Sequence, residues 1–214
     1  LTIEELLFTA ANLATNINEK AAIYAVAANN YPSDYRGHNN LGAVKFIQNM
    51  MPDAKKSLET ANNISDNGMT KNNLAGVAMA NGDRALAKKL LAQVKDKSTQ
   101  LAYNNAVISI LEGKYSAAVS SFGAEASFNK ALAQVLQGNL DDASKTLAAS
   151  SDKESADGYY LKAIIAARSN AGVDAVVSSL KLAFAKNSDY KSKAGRDREF
   201  IKLMSDASFS AAIN

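Results

Sequence analysis

Cysteine is absent from the chain, so disulfides, a thiolate nucleophile and every cysteine-based metal site are excluded. There is one histidine, His38; a Ser-His-Asp triad would have to pass through it, and a zinc site would lack further His or Cys ligands. Packing or solvation at a helix interface is its expected role. Tryptophan is missing and prolines number two, while alanine is abundant, which favours helix throughout. No apolar run reaches the roughly 18 residues needed to span a bilayer. No glycine-rich phosphate loop follows a strand, and Gly82-Asp83 and Gly138-Asn139 read as inter-helix turns. A formal charge of +3 is too mild to point to nucleic acid. With 47% hydrophobic and 21% charged residues the composition is that of a folded globular chain.

What is present is a repeat. Residues 35–67 hold Leu41-Gly42, a turn around Asn49 to Pro52, then Ala54, Leu58 and Ala61 at spacings of four and three. Residues 68–98 repeat this as Leu74-Ala75, Gly82-Asp83, Ala87 and Leu91, with the same step from leucine to alanine. Such a fixed period is the signature of stacked helix pairs. Thr2 followed by Glu5 starts a first helix running to about Leu13, and a second runs from about Glu19 to Tyr31-Pro32. A fourth unit begins near Thr99 and is cut short by Gly123 after Phe122, where a kink is expected. A fifth carries Gly138, Ala143 and Leu147, with Ser151-Asp152 as linker and cap. The sixth carries Tyr160, Ala163 and Ala167, then Val176, Leu180 and Ala183.

On these residues the pattern resembles tetratricopeptide repeats. Leu41, Gly42, Ala54, Leu58 and Ala61 match that family's small and large positions, as do Leu74, Ala75, Gly82, Ala87 and Leu91. Tyr24, Ala27 and Pro32 match the second half of unit one, whereas His38 and Lys71 stand where a large apolar residue is usual. The resemblance implies an all-α fold, a right-handed α-solenoid of about six helix pairs over residues 1–188, closed by a C-terminal capping helix over 189–214. Phe200, Leu203 and Phe209 would face the last repeat, and the charges around them would face water.

The resemblance also implies a non-enzymatic scaffold that binds a protein or an extended peptide along the first helices of its repeats. Asn40, Asn73, Asn104 and Asn129 share the sixth position of their units. An amide there can pair with a peptide N–H and C=O together; the other reading is that it bonds only within the repeat. Phe46, Met79, Tyr103, Ile110 and Val135 are further groove positions, and Arg36 and Lys162 are the groove-side cations. A carboxylate clamp is not expected, since its places hold Asn39, Asn72 and Tyr103.

The carboxylate pairs Glu4-Glu5 and Asp141-Asp142 stand at helix starts, where they complement the helix dipole. No catalytic residue, metal or cofactor is expected. The basic stretch from Lys181 to Lys202 is interspersed with Asp189, Asp197 and Glu199 and reads as a solvated cap. The chain begins with leucine, so its natural start, with any signal peptide, is expected to precede it. The alternative function is a spacer or docking domain of a larger bacterial envelope protein that carries an additional domain; the composition is compatible with that and with a cytoplasmic adaptor, and periplasm or envelope is the expectation preferred over cytoplasm.

Overall fold

The computed structural model describes residues 1–214, and every regular element in it is a helix. The helices fall into two compact units, residues 1–108 and 109–214.

In the first unit lie α1 (Ile3–Leu13), α2 (Ile17–Asn30), α3 (Tyr35–Ile47), α4 (Met51–Ile64), α5 (Gly68–Ala80), α6 (Arg84–Ala92) and most of α7 (Thr99–Leu111). Thr2 and Glu5 form the anticipated reciprocal capping box. Asn16 caps α2 by accepting from the N–H groups of Asn18 and Glu19, which starts that helix two residues ahead of the expected Glu19. The chain reverses between α3 and α4 at Asn49, whose φ of 60° suits asparagine better than most side chains.

Packing explains the repeat. Ala54, Leu58 and Ala61 of α4 are fully buried against α3. A Cβ placed on Gly42 would lie 2.5 Å from Leu58 Cγ, so this position stays small and the helices approach closely. The next pair repeats the arrangement, with Ala75 and Ala87 fully buried and Leu91 beside them. Lys71, in an apolar place, buries its stem and pairs its ammonium with Asp66, whose carboxyl is thereby held below its usual range.

The second unit holds α8 (Tyr115–Phe122), α9 (Phe128–Gln137), α10 (Leu140–Ala149), α11 (Ala156–Arg168) and α12 (Val173–Lys186). Consecutive helices pack in pairs within each unit: α1/α2, α3/α4 and α5/α6 in the first, α9/α10 and α11/α12 in the second. As expected, α8 is short: it ends at Gly123, whose φ of 61° stops it after 8 residues. The cap of α11 is Ser155 rather than Asp152, because residues 151–154 are occupied by a turn whose Asp152 carbonyl accepts from the Ser155 N–H and hydroxyl.

The end of the chain is three short helices where one was expected: α13 (Asp189–Ala194), a 3-10 segment (Arg198–Leu203) and α14 (Ala207–Ile213). Asp197 and Asp206 each cap the segment that follows and so break the run. Phe200 and Phe209 are fully buried against Tyr160 and α12, as their spacing implied. Tyr160 donates to Asp197 at 2.7 Å, and the Lys193 ammonium sits 4.8 Å from the ring centres of Tyr160 and Tyr190. Burial, then its bond to Asp157, pushes the Tyr190 phenol up to about 12.

Candidate peptide-binding groove

Helices α3 and α5 lie side by side, and the start of α7 with its preceding loop closes a concavity of about 550 Å³ beside them. Asn40, Asn73, Tyr35 and Met69 line it over the buried Asn39 and Asn72. Both members of each asparagine doublet therefore take part, one sunk into the floor and one half-buried on the wall.

The floor is a side-chain network. Asn39 Oδ1 accepts from Thr70 Oγ1 at 3.1 Å and from Asn73 Nδ2 at 3.0 Å. Asn39 Nδ2 donates to Asn40 Oδ1 at 3.1 Å and to Met69 Sδ at 3.4 Å. One amide thereby fixes the two wall asparagines, Asn40 and Asn73, across neighbouring repeats. Asn104 is 5% exposed and donates to Asn72 O and Oδ1, both at 3.2 Å, so its amide is used within the array.

Truncating the central amide is predicted to be costly. Asn39→Ala leaves the fully buried Thr70 hydroxyl and the Asn73 amide without their acceptor, a loss of about 1–3 kcal/mol. Urea unfolding followed by circular dichroism measures it; a change below about 0.5 kcal/mol would remove the network from the account.

The other expected groove residues are placed differently. Arg36 pairs with Asp34 at 2.5 Å and Glu4 at 3.7 Å and stacks 5.0 Å above the Phe8 ring, tying α3 to α1. That pairing holds the Asp34 carboxyl down at about 2. Phe46 packs beside Leu58, Leu74 and Val77, and Met79 beside Ala75 and Ala87. Val135 is 1% exposed, in the core under α9, so it is corrected from ligand contact to packing residue. Tyr103 and Ile110 are half-buried on α7 outside the groove lining, and Asn129 and the exposed Lys162 belong to the second unit. His38 Nε2 lies 3.2 Å from Pro32 O at the α2–α3 turn, a local contact.

Sequence reasoning passed over Thr70, Tyr35 and Met69, and it treated Asn39 and Asn72 only as places lacking a cation. The doublets Asn39-Asn40 and Asn72-Asn73, one repeat apart, were the available signal. No three His, Asp or Glu side chains come together in a way that could hold a metal. No helix is long and apolar enough to cross a membrane.

No family model matches the chain, and no curated protein matches it. Solved structures do. PilW, described as a widely conserved type IV pilus biogenesis factor, superposes with a TM-score of 0.65 at 14% identity, covering 95% of this chain and 99% of its own. The Cut9–Hcn1 structure from the APC/C gives a TM-score of 0.58 at 14% identity over 93% of this chain, which spans only 40% of the matched one. These likenesses show the fold, an all-α array of tetratricopeptide-like helix pairs.

Proposed function

We propose that the chain is a non-catalytic scaffold that holds an extended peptide segment in the groove of residues 1–108. The observation that carries this reading is the amide-walled concavity between α3 and α5, whose volume of about 550 Å³ lies in the range of ligand sites. Asn40 and Asn73 are set by a buried network before any ligand arrives, so little ordering cost remains at binding. The ladder foreseen over four repeats is narrowed to these two residues, since Asn104 is committed within the array and Asn129 lies in the other unit.

A random nonapeptide library displayed on phage and panned on the purified chain tests the proposal. A selected peptide is expected to lose about tenfold in affinity when Asn40→Ala and Asn73→Ala are combined, since each amide contributes about 0.5–1.5 kcal/mol. Unchanged affinity in a variant that still folds would end the groove reading.

A second reading has one observation of its own, the near full-length likeness to PilW. On that reading the array is a docking part of an envelope assembly, carried by a longer protein with a further domain. The complete reading frame separates the two, because a leader and a second domain belong to the docking reading.

A further inference from the structure

We infer that the groove of residues 1–108 selects segments carrying lysine or arginine, an inference that rests on the peptide-binding reading above. The wall of the groove keeps hydrogen-bond acceptor capacity on its amide oxygens. Asn39 Nδ2 gives its hydrogens to Asn40 and Met69, and Asn73 Nδ2 gives one to Asn39. Asn104 Nδ2 is spent on Asn72. Asn73 Oδ1 takes part in none of these bonds, and Asn40 Oδ1 accepts one where an amide oxygen can accept two. A ligand that brings donors can pair with these two oxygens.

Charge points the same way. Asp96, in the loop before α7, is the one ionised side chain lining the groove, and no lysine or arginine lines it. Lys95 and Lys97 flank Asp96 in the chain outside the lining, and Lys95 acts on Asp66. The Lys71 ammonium is committed to Asp66 as well. Beside Asp96, Val94 and the 60%-exposed Met69 offer apolar surface along which an aliphatic stem can lie while its head reaches the carboxylate. An acidic segment in the groove would meet the Asp96 carboxylate, while the nearest flanking cations, Lys95 and Lys97, lie outside the lining.

The same phage library reads the charge. Lysine and arginine are expected at about three times their library frequency at one position of the pool selected by the native chain. That bias is expected to disappear with Asp96→Asn, an exposed loop change that leaves the fold intact. A selected lysine peptide should lose about two- to fivefold in affinity to this variant, the worth of an exposed ion pair, and should weaken in high salt. A pool without basic enrichment that still depends on Asn40 and Asn73 would overturn the charge inference and leave the peptide reading standing. A pool indifferent to those asparagines, or no pool at all, would overturn both.

Discussion

Phe200→Ala is expected to destabilise the second unit by about 3–5 kcal/mol, the cost of removing a large aromatic side chain from a packed core. Phe200 is fully buried, with its ring centre 5.7 Å from Tyr160 in an edge-on contact and 5.7 Å from Phe209. It thereby joins the 3-10 segment to α11 and α14 in one cluster. Against a typical total stability of about 5–15 kcal/mol, a loss of this size removes much of the unit's margin. Phe200→Leu, which keeps most of the volume, should cost clearly less. Urea unfolding followed by circular dichroism reads both; an alanine variant within about 1 kcal/mol of the native chain would show that the C-terminal helices are dispensable to the core.

The second large effect is Gly158→Ala. On helix propensity alone, alanine in the first turn of α11 would stabilise it, by at most about 1 kcal/mol. Contact reverses the sign. A Cβ at position 158 would lie 2.0 Å from the Asp152 carbonyl oxygen and 3.1 Å from the Lys153 carbonyl carbon, and both atoms are backbone. The turn before α11 would have to move away, breaking the Ser155 cap that accepts from the Gly158 N–H at 2.9 Å. The expected loss is about 3 kcal/mol, the upper end for overpacking. Gly76→Ala is the control, because its nearest neighbour, Phe46 Cζ, would be 4.0 Å away and the propensity gain of about 0.5–1 kcal/mol should survive. Thermal unfolding of both variants should move in opposite directions; parallel shifts would reject the packing argument.

The repeat was legible because helix-pair packing demands small residues at fixed steps. Gly42, Ala54 and Ala61 announce close approach, and Leu58 announces what fills the gap. The site was legible only in part. Asn39 and Asn40 are neighbours of the same chemistry, and adjacent helix positions point about 100° apart, so which one turns inward depends on Thr70 and Asn73 in the next repeat. That partner set is tertiary and leaves no mark in local spacing. Val135 shows the same limit from the apolar side, since a valine facing a groove and one facing a core read alike. At the C-terminus the aromatic contacts were readable, but Asp197 and Asp206 serve as caps that divide one expected helix into three.

The most direct measurement of the account is a titration of the isotope-labelled chain with a nonapeptide selected on it, following the asparagine side-chain amide resonances by nuclear magnetic resonance. The account predicts that the largest shifts fall on Asn40 and Asn73, with the Asp96 backbone amide moving alongside them. Shifts confined to another face, such as the cavity of about 270 Å³ lined by Leu74, Val77, Leu86 and Leu90, would contradict it.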